Sequence, residues 1–190
     1  TASNAAGSNS ATFSVVVNVI PIISTPANGA VLTVNESSAL SIVCTSTAFP
    51  APTSTWMFGT SPLPAGAVSM ASTPAYDMAT LLHVNHNTLT IANAQYSNRG
   101  TYICRSEIDV TPIGIRFSTA SVSVIVQVKP TLQVATQSFT QLENSQVVLA
   151  FTIQSPVVPD VVGNDITWEG PMGVLPSSST SKYTFSANRR

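Results

Sequence analysis

The chain has 190 residues and a net charge of −1, with only 8% charged side chains against 44% hydrophobic ones. That length holds one to two domains, the plentiful valine and isoleucine exclude a disordered polymer, and the lack of any basic cluster argues against a nucleic-acid partner. No apolar run reaches the roughly 18 uninterrupted residues of a membrane helix; even the richest, residues 13–23, is broken by Ser14, Asn18 and Pro21.

In chain order, neither an initiator methionine nor a signal-peptide pattern opens the sequence, and both Thr1 and Arg190 are expected to be cuts through a longer polypeptide. Phe13, Val15, Val17 and Val19 alternate with other residues, predicting a strand with one core-facing side that Pro21 closes. Turns are predicted at Pro26-Ala27-Asn28-Gly29, Phe49-Pro50-Ala51-Pro52, Ser61-Pro62-Leu63-Pro64, Asn85-His86-Asn87 and Thr111-Pro112-Ile113-Gly114, where proline, glycine and asparagine punctuate the chain. Between them, Leu40, Ile42 and Cys44 alternate, as do Val122, Val124, Val126 and Val128 ahead of Pro130. Many short strands, with no amphipathic helix beyond one or two turns, predict an all-β sandwich or barrel.

Cys44 and Cys104 stand 60 positions apart, which fits neither a metal knuckle nor a Cys-x-x-Cys redox pair. One bridge joining two distant strands is the simplest use, and it implies an oxidising compartment. The sequon Asn35-Glu36-Ser37 points the same way and makes Asn35 a candidate N-glycosylation site.

The chain also repeats itself. Ser10–Val15 matches Thr119–Val124 at an offset of 109, residues 36–44 align with residues 143–151, and Trp56 pairs with Trp168. A period of about 110 residues means an array of whole domains.

The segment from Cys44 through Trp56 and Leu89-Thr90-Ile91 to Asn98-Arg99-Gly100-Thr101-Tyr102-Ile103-Cys104 resembles the immunoglobulin superfamily, closest to its intermediate set. The resemblance implies a Greek-key β-sandwich in which Cys44 on strand B and Cys104 on strand F bridge the two sheets. Trp56 on strand C would pack on that bridge, and Leu89 and Ile91 would face inward from strand E. Tyr102 would bond its hydroxyl back to the E–F turn, with Gly100 supplying close packing or an unusual dihedral there. Asn98 replaces the family's usual aspartate; it can still cap the turn but forms no ion pair. The expected domains are 1–20, the last strand of a preceding immunoglobulin-like domain; 21–129, a complete one; and 130–190, the first part of a following one. In the last, Phe151 replaces the strand B cysteine, Trp168 marks strand C, and Tyr183-Thr184-Phe185 lies near strand D.

Candidate chemistry is sparse. His83 and His86 are read as residues of the D–E hairpin, since no cysteine or acidic cluster nearby completes a metal site. No Gly-x-Ser-x-Gly elbow or glycine-rich phosphate loop occurs, so no catalytic residue, cofactor, metal or small-molecule substrate is expected. The best binding candidate is the F–G loop, with Glu107, Ile108, Asp109, Val110, Thr111, Pro112 and Ile113. Its Ile108-Asp109-Val110 is similar to the acidic tripeptide that some adhesion domains offer to integrins, against the simpler reading of a hairpin without a ligand.

The resemblance implies a non-catalytic recognition module of a multi-domain cell-surface or extracellular-matrix protein, binding protein partners, a second copy among them. Two alternatives stand beside it. One is a spacer in an intracellular filament; the other is the ectodomain of a receptor kinase or phosphatase whose catalytic domain lies elsewhere.

Overall fold

The structure, a computed structural model, describes residues 1–133, 140, 152–154, 169–170 and 173–174. Phe151, Trp168 and the Tyr183–Phe185 segment therefore lie outside the described residues. The regular elements among the described residues are all strands, apart from one 3-10 turn at Tyr96–Asn98.

A short hairpin opens the chain: β1 (Ala2–Asn4) pairs antiparallel with β2 (Gly7–Asn9), Ala2 lying opposite Asn9. The alternating segment that follows does not form the predicted strand. Residues 10–18 carry no strand, and Phe13, Val15 and Val17 are 89%, 81% and 71% exposed. Alternation prepares a face for burial, but a ladder also needs a neighbour, and no described strand runs beside this segment.

Nine strands then make two facing sheets. They are β3 (Val19–Thr25), β4 (Ala30–Asn35), β5 (Leu40–Phe49), β6 (Thr53–Phe58), β7 (Ala67–Ala71), β8 (Ala75–Asp77), β9 (Leu82–Ile91), β10 (Gly100–Val110) and β11 (Gly114–Gln127). One sheet has the order β3-β5-β9-β7, with β8 also paired to β9; the other has the order β4-β11-β10-β6. The consecutive strands β3 and β4 thus edge opposite sheets, and β5 to β6 and β9 to β10 cross between sheets in Greek-key fashion. All pairs are antiparallel except β4 with β11. The expected boundary at residues 20–21 falls inside β3.

Two predicted breaks lie elsewhere. Pro21 does not close a strand; it is buried within β3, where the register to β5 shifts between Val19 and Ile22. A residue without an N–H fits such an irregularity. Asn85-His86-Asn87 is not a turn either but the middle of β9. The hairpin turn comes earlier, after Asp77, whose carboxylate accepts the Thr80 hydroxyl at 2.7 Å and the Ala79 N–H at 3.0 Å. Those two bonds hold its pKa below its ordinary value.

Inside, the sandwich is layered. Ile42, Cys44, Trp56, Leu89, Ile91, Tyr102, Cys104, Val122, Val124 and Val126 form one apolar cluster, and Ala48, Ile108 and Val110 form a second. Between them lies a buried polar belt of Ser46, Ser54, Ser106, Asn85 and Asn87. The Ser54 hydroxyl lies 2.9 Å from that of Ser46 and donates to Ser106 Oγ at 3.2 Å. Asn87 donates to the Ser54 carbonyl at 2.6 Å and accepts from Ser69 Oγ at 2.8 Å, and Asn85 donates to the Ser72 carbonyl at 3.0 Å. Buried polar groups without such partners would cost about 1–3 kcal/mol each.

Candidate functional site

The centre of the sandwich is held by a Cys44–Cys104 disulfide with Cα atoms 6.3 Å apart. Cys44 sits on β5 and Cys104 on β10, so the bridge crosses between the sheets. Trp56 lies opposite Cys104 in the β6–β10 ladder, buried in the same cluster, and donates Nε1–H to the Asn87 carbonyl at 3.1 Å. Leu89 and Ile91 face inward from β9, at 0% and 1% exposure.

One end of β10 is fixed by Tyr102. Its hydroxyl donates to the Asn98 carbonyl at 2.9 Å, and burial pushes its pKa up to about 12. Asn98 caps the turn as expected, its Oδ1 accepting the Gln95 N–H at 2.8 Å. Arg99 does not pair with an acid here; it donates to Tyr96 Oη at 2.9 Å and lies over the Tyr96 ring. Gly100 has φ +146°, and an added Cβ would lie 2.5 Å from the Phe58 ring.

The predicted F–G binding loop is shorter than expected. Glu107, Ile108, Asp109 and Val110 belong to β10, leaving only Thr111, Pro112 and Ile113 as the connection. Strand alternation sends Ile108 and Val110 into the core, where they are 2% and 8% exposed. Of the tripeptide, only Asp109 faces solvent, accepting the Thr111 hydroxyl at 3.3 Å. Glu107 pairs with Arg105 at 3.0 Å, and the Arg105 guanidinium lies 4.3 Å from the centroid of the exposed Phe117 ring. Exposed Ile113 and Ile115 continue this surface, and an open pocket of about 460 Å³ beside it is lined by Pro50, Ala51, Thr53, Glu107, Ile108, Asp109 and Ile115. Sequence reasoning missed Arg105, Ile115 and Phe117. The alternation Ile113, Ile115, Phe117 was the available signal, since it sits on the face opposite Ala120 and Val122.

His83 and His86 lie on a strand rather than in a hairpin turn, and a spacing of three turns them to opposite faces. His83 packs between the rings of Phe49 and Tyr76, and His86 Nδ1 lies 3.0 Å from Thr45 Oγ1. Among the described residues, no group of three or more His, Cys, Asp or Glu side chains could hold a metal ion, and no helix is long and apolar enough to cross a membrane. Asn35 is exposed at the end of β4, with Ser37 of its sequon at φ +66°.

Two facing sheets, a buried bridge between them, an indole opposite Cys104 in the same buried cluster and a tyrosine bonded back to the turn before β10 define a disulfide-pinned Greek-key sandwich domain. A family model described as the immunoglobulin domain matches residues 20–107, and the chain carries a domain of the immunoglobulin superfamily. No curated protein sequence matches the chain. Among solved structures it is similar to titin domain M7, with 19% identity and a TM-score of 0.44 over 58% of this chain and 97% of that one. It is also similar to the titin fragment A168169, with 18% identity and a TM-score of 0.46 over 83% and 73%. A third is titin Z1Z2 solved in complex with telethonin, with 16% identity and a TM-score of 0.42, where the match spans 62% of this chain and about half (52%) of that one.

Proposed function

We propose that the chain is a non-catalytic recognition module from a tandem array of intermediate-set immunoglobulin-like domains, working outside the cell on a cell-surface or matrix protein. Its rigid sandwich presents loops and a sheet face to protein partners, a second copy among them. The observation that carries the extracellular reading is the buried Cys44–Cys104 bridge, because such bridges persist in oxidising compartments. The exposed sequon at Asn35 agrees with it. The array reading is supported by a second register. Strands β12 (Thr131–Gln133) and β13 (Thr152–Gln154) pair Thr131 with Gln154 and Leu132 with Ile153. At the repeat offsets these are the partners Ile22–Thr47 and Ile23–Ser46 of β3 and β5.

Thiol titration of the protein isolated from its native cells, after unfolding without reductant, tests the compartment. No reactive thiol is expected; two would place the chain in a reducing environment and favour the filament spacer. For partner contact, we assign the exposed end of β10 and β11, with Glu107, Asp109, Pro112, Ile113, Ile115 and Phe117. Aromatic and arginine side chains on a rigid strand are the usual energetic anchors of an interface. Beads coated with the chain should aggregate, and Asp109→Ala with Phe117→Ser should abolish this while leaving the melting temperature unchanged. Beads that stay dispersed would rule out pairing between copies.

A further inference from the structure

Phe13, Val15, Val16 and Val17 form a run of exposed apolar side chains, each at least 67% exposed. The repeat explains what such a segment is for. Extended along its length, the match pairs residues 10–21 with residues 119–130, identical at Ala11, Ser14, Val15, Val17, Val19 and Pro21, and most of the other positions exchange like for like. Residues 119–127 lie in β11. There Val122, Val124 and Val126, the counterparts of Phe13, Val15 and Val17, are 0%, 2% and 0% exposed. β11 fills a slot with two distinct walls: an antiparallel ladder to β10, with Tyr102 opposite Val122, and a parallel ladder to β4, with Leu32 beside Val124.

The hairpin ahead of the segment has the matching register. β1 and β2 pair Ala2 with Asn9 and Ser3 with Ser8, so continuing the ladder sets Thr1 opposite Ser10. In β10 and β11, Arg105 is opposite Thr119, and Thr119 is the counterpart of Ser10. Thr1 therefore occupies the Arg105 position, one residue beyond the place of Cys104.

We propose that residues 1–18 are the end of an F–G hairpin and the last strand of another immunoglobulin-type sandwich. The partner they take is such a sandwich with its last-strand slot vacant, open between an antiparallel F-type strand and a parallel edge strand. The inference rests on the tandem-array reading, which the β12–β13 register supports independently at the other end of the chain.

The test supplies that slot. A front copy of residues 21–104 is placed directly ahead of Thr1 of the full chain, and amide hydrogen exchange and disulfide content are measured. Two bridges are expected, and the amides of residues 12–18 should exchange at least about 100-fold more slowly than in the unfused chain. Replacing Phe13, Val15 and Val17 together by serine in the fusion should abolish that protection. Because Phe13 enters a position that holds a valine in β11, a Phe13→Val version is measured alongside. If residues 12–18 remain unprotected in both the fusion and its Phe13→Val version, while the native domain keeps its protection, the assignment is wrong. The array reading would then stand on residues 130–154 alone.

Discussion

Gly100→Ala asks whether the tyrosine corner depends on close packing or on backbone freedom. Gly100 opens β10 at φ +146°, and a Cβ there would lie 2.5 Å from Phe58 Cζ and 2.7 Å from Cε2, against an ordinary carbon contact of about 3.5–4.0 Å. The ring must swing by about 1 Å or more. It is not free to do so cheaply, because Phe58 lies opposite Tyr102 in the ladder with ring centroids 4.9 Å apart in an edge-to-face contact. Overpacking costs about 1–3 kcal/mol, a side chain at this φ costs on the order of 1–3 kcal/mol, and the ring pair is worth about 0.5–1.5 kcal/mol. Since these overlap, the expected loss is about 2–4 kcal/mol, or on the order of 10–20 °C in melting temperature for a domain of this size. Thermal unfolding followed by circular dichroism in wild type, Gly100→Ala, Phe58→Ala and the double variant separates the causes. If the clash dominates, Gly100→Ala costs about 1–2 kcal/mol less when Phe58 is already alanine. Equal costs in both backgrounds would refute the clash and leave backbone strain alone; a loss under about 0.5 kcal/mol in wild type would refute both.

Tyr102→Phe should cost about 1–2 kcal/mol at neutral pH by leaving the buried Asn98 carbonyl without its donor. It should also remove an alkaline dependence. The folded-state pKa of Tyr102, about 12, lies above the ordinary value of 10.0, so the folded state holds the phenolic proton more tightly, and this stability is present below pH 10 and lost as pH rises toward 12. Urea midpoints across pH 9–12 would show a steeper decline in wild type than in the variant. Cys44→Ala with Cys104→Ala should lower stability by roughly 4 kcal/mol through the freed loop, read as a fall in the urea midpoint that reductant reproduces in wild type. Asn87→Ala should cost about 2–3 kcal/mol, because the Ser54 carbonyl and the Ser69 hydroxyl both lose their partner. The exposed Asn93→Ala should stay within about 0.5 kcal/mol of wild type, and parity between the two would sink the polar-belt account.

The parts legible in the sequence are those where one residue type alone meets the requirement. A bridge between facing sheets needs two cysteines, the buried place opposite Cys104 in the β6–β10 ladder takes a large aromatic, and a backbone at φ +146° beside Phe58 needs glycine; Cys44, Cys104, Trp56 and Gly100 stand in those places. The turn at Asn85–Asn87 was misread because asparagine favours turns by local hydrogen bonding. In the folded chain those amides bond instead to Ser54 on β6, Ser69 on β7 and Ser72 just past β7, and no window of local sequence contains that information. Tertiary partners overrode local preference.

The end of β10 was misread for a different reason. Tyr102, Cys104, Ser106, Ile108 and Val110 form one unbroken inward row, so period two already described a strand there. The loop reading took residues 107–113 as one segment, although charge on alternate residues, here Glu107 and Asp109, is what a half-buried strand presents to water. Phe13–Val19 shows the limit of the same rule. Its alternation specifies which face must be covered, as it does in β11, but the strand that covers it is a property of the neighbour. The buried polar belt applies that limit inside the core. Serine and asparagine continue the inward rows of β5, β6, β9 and β10 where hydropathy alone would end them, so parity of position, rather than hydrophobicity, traces these four strands from one end of the sandwich to the other.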